Sequence, residues 1–187
     1  MRIIQSDLDG LVMFEPKVHE DGRGFFLETF RDGFLKKLGI EENFVQENHS
    51  RSKKNVLRGM HFSAYRPQAQ LVTVMHGRIY DVCVDLRCNS RTFGQSYGVE
   101  LSDQGLRQIY MPAGFAHGFC VLSDLVDMHY KVTQFYDPKH EAGIVWDDPD
   151  LAIKWPISSP ITSERDRAHP RLREVDTHKL VSSYINQ

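Results

Sequence analysis

The alternation in RIYDVCVDLR, residues 78–87, limits this chain more than any other feature. In an extended segment Tyr80, Val82, Val84 and Leu86 fall on one face and Asp81, Cys83, Asp85 and Arg87 on the other, the period of a half-buried strand. Gly77, in MHGRI, marks a hairpin turn from the preceding strand QLVTVMH. More short strands follow at regular spacing: SYGVELS, RQIYMP, GFCVLS and MHYKVTQFY, divided by Gly, Pro, Ser and Asp. That rhythm predicts a mainly-β fold, a sandwich or small barrel, with a few short helices. One helix is expected in RDGFLKKLGI, with Asp32 as its cap, Phe34, Leu35 and Leu38 on one face and Gly39 as its stop. A second is expected after Ser163 in SERDRAHP, within a less regular segment, 157–187.

At 187 residues the chain has room for one sizeable core, so residues 1–187 are expected to form a single domain. Lys plus Arg is 23 and Asp plus Glu is 25, a net charge of −2, which offers no reason to expect nucleic acid or an anionic membrane as partner. The opening MRIIQSDLDGLVMFEPK is broken by Asp7, Asp9 and Gly10 before a signal-peptide core can form. No apolar run nears the roughly 20 residues that span a bilayer. Cys83, Cys88 and Cys120 are odd in number and form no C-x-x-C pair, which argues against a disulfide framework and suits a reducing cytoplasm.

Two stretches carry chemistry. LRGMHF, residues 57–62, sets Arg58 and His61 into what otherwise reads as a buried apolar strand. Three positions apart, they face opposite ways in a regular strand, but Gly59 between them permits a bulge that turns both toward one cavity. A buried arginine demands an anion. A phosphate-bearing ligand meets that demand, and so does a structural carboxylate such as Glu47 or Asp85. The second stretch, MPAGFAHGF at 111–119, has a P-x-G-x-x-H pattern in Pro112, Gly114 and His117; in cupin-class jelly rolls this puts a histidine on the inner wall. Metal-binding cupins add H-x-H and a nearby glutamate, whereas GMHFS has a single histidine and Gln70 stands near the acid's place. Zinc, iron and manganese sites want three or four good ligands, so His61 and His117 are too few and no metal is expected. Taken singly, each histidine reads sooner as a hydrogen-bonded core residue than as a ligand.

Beyond these, DGRGFFLETF (21–30), FVQENHSRSKKNVLRGMHF (44–62), GRIYDVCVDLR (77–87), MPAGFAHGF, YKVTQFYDP (130–138), GIVWDDPDLAIKWP (143–156) and SERD (163–166) together resemble the dTDP-4-dehydrorhamnose 3,5-epimerase family, in order from about residue 10 to 175. The resemblance implies a cofactor-free cupin-type jelly roll, normally a homodimer with exchanged N-terminal strands. It further implies a dTDP-linked 4-keto-6-deoxyhexose as substrate, inverted at C3 and C5 by removal and return of a proton. On the same grounds His61 is the base, Asp166 its carboxylate partner and Tyr130 the acid on the opposite face; read alone, Tyr130 is sooner a wall aromatic with its hydroxyl satisfied than a catalytic group. Arg23, Phe25 and Glu28 match swapped-strand residues that meet the base and phosphates. Gln46, Asn48 and Arg58 match residues along the diphosphate and sugar, with Gln70 and His117 also assigned to the substrate. The basic run SRSKK, 50–54, reads as a solvated loop.

The chain departs from the family at one place. QAKLV is commonly found where this chain has QAQLV, and the loop from His61 to that point is one residue shorter. Gln70 can hydrogen-bond an enolate oxygen but carries no charge. Three readings follow: compensation by Arg58, an enzyme specialised for C3 alone or for another sugar such as a heptose, or a weakened homologue. A metal-dependent cupin oxygenase and a non-catalytic sugar-nucleotide binding module are the rival classes.

Overall fold

The computed structural model describes residues 2–31 and 33–177. Its strands are β1 (Arg2–Gln5), β2 (Val12–Glu15), β3 (Val18–Asp21), β4 (Gly24–Leu27), β5 (Gln46–Lys53), β6 (Leu57–Ser63) and β7 (Gln70–His76). After these come β8 (Arg78–Asp85), β9 (Ser96–Ser102), β10 (Gln108–Met111), β11 (Phe115–Val121), β12 (Leu125–Val132), β13 (Glu141–Gly143) and one short helix, α1 (Glu164–Arg167). A six-stranded sheet runs β1-β2-β10-β7-β12-β5 and a five-stranded sheet β13-β6-β11-β8-β9, while β3 and β4 form a separate ribbon. The two sheets enclose Met13, Val72, Ile109 and Met128 from one side and Ile79, Cys83, Leu101 and Phe119 from the other, the cupin-type jelly roll. Among the described residues no helix is long and apolar enough to cross a membrane.

The period of β8 is as expected, but its faces are not. Ile79 and Cys83 point into the space between the sheets, and Cys83 Sγ reaches Met111 of the opposite sheet. Tyr80, Val82, Val84 and Leu86 lie on the outer face, packed against Ile144, Leu151, Trp155 and Leu172. The irregular C-terminal segment therefore covers this sheet and buries β8 on both faces. Asp81 and Asp85 are fully buried because each has partners: His117 for Asp81, and Arg87, Ser90 and Thr92 for Asp85.

Gly77 is not a hairpin turn. β7 and β8 belong to different sheets, so Gly77, at φ 81°, carries the chain around a corner of the sandwich. A Cβ there would collide with the Leu125 carbonyl, so the corner requires glycine. The expected helix at 31–40 is a single 3₁₀ turn, Leu35–Leu38. Gly39 ends it at φ 77°, Phe34 precedes it without a side-chain cap, and Asp32 lies outside the described residues. One turn forms because Leu35, with Phe34 and Leu38, packs on Phe14 and Tyr110, whereas helix nucleation alone is unfavourable. The helix after Ser163 forms where local chemistry predicts it, with the Ser163 hydroxyl accepting from the Asp166 amide at 3.1 Å.

Candidate active site

The site begins with a bulge. β6 pairs with β11 as Arg58↔Phe119 and His61↔His117, three steps along one strand against two along the other. Gly59, at φ 117°, and Gly118 face each other at this point. A Cβ on Gly59 would lie 2.6 Å from Gly118 Cα and 2.7 Å from the His117 carbonyl, so the slip exists only because both residues lack one. Met60 consequently turns outward into the cluster under the C-terminal segment, while Arg58 and His61 both line a cavity of about 410 Å³ between the sheets.

Seven of the residues singled out from the sequence meet there: Gln46, Asn48, Arg58, His61, Gln70, His117 and Tyr130. Asp166 stands behind His61, buried, its Oδ1 2.6 Å from His61 Nε2. Arg23, Phe25 and Glu28 are not brought to this cavity within the chain. They lie on or just after the β3–β4 ribbon, with Phe25 59% exposed, Arg23 paired with Asp21 and Glu28 with Arg31.

Burial raises the Asp166 carboxyl, but the His61 ring, the Ser163 contact and the Arg165 guanidinium outweigh it and hold it below its ordinary 3.8. It is therefore an anion at neutral pH. An anion at Nε2 holds the imidazole proton there and leaves the Nδ1 lone pair as the basic position. Arg165 Nη2 lies 3.4 Å from the same Nε2 and its Nη1 donates to Glu141 Oε2 at 2.8 Å. With the proton on Nε2 no lone pair remains there for Arg165, which acts on the ring by charge alone.

Tyr130 enters from β12, in the sheet opposite His61. Burial, then the charge of Glu141, pushes its phenol above the ordinary 10.0 against the pull of Arg58, so it is protonated at neutral pH. His117, directly across the ladder from His61, has its own carboxylate, with Nε2 2.7 Å from buried Asp81. Gln70 is buried at the start of β7, and among the described residues its amide has no hydrogen-bond partner.

Arg58 is exposed rather than buried, lines the open cavity and donates through Nε to Ser52 Oγ at 3.0 Å. The structural carboxylates proposed for it are taken: Glu47 pairs with Lys131 and Asp85 with Arg87. Among the described residues its charge faces no carboxylate. SRSKK is mostly strand, not loop. Ser50 and Ser52 point inward along β5, one lining the cavity and the other holding Arg58, while Arg51, Lys53 and Lys54 face solvent.

Sequence reasoning missed Arg165, Glu141, Tyr136 and His169. The first three line the cavity mouth, with the Tyr136 hydroxyl donating to Glu141. His169 packs edge-on against His61, ring centroids 5.6 Å apart, with its Nε2 3.8 Å from Asp166 Oδ1. The sequence signal for two of these was proximity to Asp166 in SERDRAH, but nothing in the spacing says which side chains turn inward. The metal-ligand tally was also short, because the fold sets Asp166 and His169 beside His61, with one donor atom from each residue and all three within 4.8 Å of one another.

A family model described as dTDP-4-dehydrorhamnose 3,5-epimerase matches residues 5–174. The dTDP-4-dehydrorhamnose 3,5-epimerase of Methanothermobacter thermautotrophicus is 48% identical over 176 residues, 92% of this chain and 95% of that one. Its counterpart from Escherichia coli K12 is 44% identical over 185 residues, 97% of this chain and the whole of that one. The crystal structure of dTDP-6-deoxy-D-glucose-3,5-epimerase from Legionella pneumophila, in complex with dTDP-4-keto-L-rhamnose, superposes with a TM-score of 0.92 at 45% identity, covering 95% of this chain and 96% of that one.

Proposed function

Because this chain belongs to the dTDP-4-dehydrorhamnose 3,5-epimerase family, we propose that it inverts C3 and C5 of a dTDP-linked 4-keto-6-deoxyhexose in deoxysugar biosynthesis. The observation that carries this reading is the pairing of a carboxylate-held base and a protonated phenol from opposite sheets on one cavity. Inversion needs that arrangement, since a proton must leave one face of a carbon and return to the other.

The chemistry runs from the sugar's own acidity. The C4 ketone lets the C3–H bond break with its electron pair passing to the C4 oxygen. His61 Nδ1 takes the proton, and the Asp166 anion stabilises the imidazolium that results. Tyr130 then delivers its phenolic proton to the other face of C3 as the electron pair returns from the C4 oxygen. His61 next releases its proton to solvent and Tyr130 regains one, and the same sequence at C5 completes the double inversion. The enolate oxygen is met by neutral Gln70 and by the charge of Arg58, both on the cavity wall. Compensation by Arg58 is supported by its lack of a carboxylate partner among the described residues.

The nucleotide is held, in this reading, by Gln46, Asn48 and Arg58 from the same chain and by Arg23, Phe25 and Glu28 from a second copy. The exposed ribbon carrying Phe25 and Phe26, 59% and 73% accessible, supports a homodimer formed by exchange of these strands. A cytoplasmic location fits a sugar-nucleotide substrate. The reaction as written uses no cofactor, and the comparisons favour neither an oxygenase nor a non-catalytic binding module.

Incubation with the 4-keto-6-deoxy sugar nucleotide in D₂O, read by NMR, tests the proposal. Deuterium should enter C3 and C5 with the wild type, and His61→Ala should abolish entry at both while dTDP still binds. No exchange with the wild type would end the reading. Exchange at C3 alone would support the specialised enzyme that Gln70 hints at.

A further inference from the structure

His169 is a polar side chain beside the base that the proposed reaction does not use. Its Nε2 is sealed from solvent and, among the described residues, makes no hydrogen bond, which native interiors seldom tolerate. The ring is seated over Gly143, where a Cβ would run into it, and edge-on to His61. We propose that His61, Asp166 and His169 bind a divalent late transition metal such as Zn²⁺, and that its binding switches the catalytic base off.

The donor set suits that class of ion. Two imidazole nitrogens and one carboxylate oxygen favour Zn²⁺, Ni²⁺ or Cu²⁺ over Mg²⁺ or Ca²⁺, which prefer all-oxygen shells. Zinc bonds of about 2.0–2.2 Å in a tetrahedron set neighbouring donors about 3.4 Å apart. The contacts of 2.6 Å from Asp166 to His61 and 3.8 Å from Asp166 to His169 bracket that spacing and the donor atoms of the two imidazoles lie within 4.8 Å of each other, so the side chains must draw together to complete the site. His61 is partly exposed to the cavity, so the site lies one side chain away from solvent. Arg165, half exposed and tied to Glu141, is the nearby cation that has to give way.

The mode of inhibition follows from which nitrogen the metal takes. Without metal, Asp166 keeps the His61 proton on Nε2 and the Nδ1 lone pair is free for the sugar. A metal at Nε2 requires that lone pair instead, so the single proton of neutral His61 moves to Nδ1 and the basic position is lost. No atom is gained or released apart from water leaving the metal. The inhibition rests on the epimerase reading; the binding does not.

Isothermal titration of the EDTA-treated full chain with ZnCl₂, alongside deuterium exchange at C3, separates the two. We expect a Zn²⁺ site that weakens by at least the ~10–100-fold that loss of even an outer-shell partner costs in His169→Phe and His169→Gln. Both variants should retain metal-free exchange, lose zinc sensitivity by a similar factor and ignore Mg²⁺, and EDTA should restore the inhibited wild type. His129→Ala serves as control for the exposed His49–His129 pair, whose rings lie 4.7 Å apart, and should leave the inhibition unchanged. Equal zinc binding in wild type and both His169 variants overturns the site, and zinc binding without loss of exchange overturns the switch. If the metal-free wild type exchanges nothing, the epimerase reading fails while the titration still decides the site.

Discussion

Replacing Asp166 by Asn probes the pairing on which the base depends. The substitution removes one negative charge 2.6 Å from His61 Nε2 and alters almost no volume. A hydrogen bond to a charged group contributes about 1.5–3 kcal/mol. If that is lost when His61 becomes an imidazolium, the transition state rises by the same amount, or roughly 10- to 150-fold in rate. The amide has a second effect. Turned with its N–H toward Nε2, it favours the tautomer with the proton on Nδ1, the change that costs ~10⁴ when the aspartate of a serine-protease triad becomes asparagine. C3 exchange should therefore fall by about 10²- to 10⁴-fold. Affinity for dTDP should hold, because Asp166 is 3% exposed and does not line the cavity. Exchange is timed by NMR in D₂O and affinity by calorimetry; a rate within about threefold of wild type would refute the dyad. Stability offers a second check. The folded carboxyl titrates below its ordinary 3.8, so its contribution is fully present above 3.8 and lost as pH falls through the folded value. Asp166→Asn lacks that contribution, and the gap in melting temperature between the two proteins should narrow below pH 3.8.

Gly59→Ala places a Cβ 2.6 Å from Gly118 Cα and 2.7 Å from the His117 carbonyl, both backbone, at a φ of 117°. It should cost about 2–5 kcal/mol in urea melts, summing overpacking and left-handed backbone terms, and a loss under about 1 kcal/mol would mean the bulge tolerates a side chain. Arg58→Met should weaken dTDP binding by roughly 10- to 150-fold, on the strength of a charged hydrogen bond, and should flatten its salt dependence. Unchanged affinity would remove Arg58 from the diphosphate. Gln70→Lys adds a cation to the cavity that already holds Arg58, and it should leave C3 and C5 exchange no faster, because the added charge lowers the basicity of His61. A gain of about 10-fold or more, chiefly at C5, would show that the enolate lacks a charge the fold does not otherwise supply.

Local chemistry was legible in the sequence where the deciding partners lie a few residues apart. The strands followed from alternation, and the Ser163 cap from a hydroxyl three residues before the amide it accepts. Most of the candidate residues that gather at the cavity were named from the sequence too, because their motifs resemble a family in which geometry has already joined distant segments. Which face of β8 is inside was not legible. Alternation gives a period but no sign, and the face bearing Asp81 and Asp85 turns inward because His117, Arg87, Ser90 and Thr92 are waiting there. Gly77 reads as a turn in either setting, yet only the closure of two sheets decides whether it joins paired strands or rounds a corner. The same holds at the site's centre. His61 and Asp166 are 105 positions apart, and Arg165 and His169 come along with Asp166 on the far side of the fold. Their charges and lone pairs act over a few ångströms, a distance that exists only once the C-terminal segment has packed across the outer face of β8 and set α1 against β6.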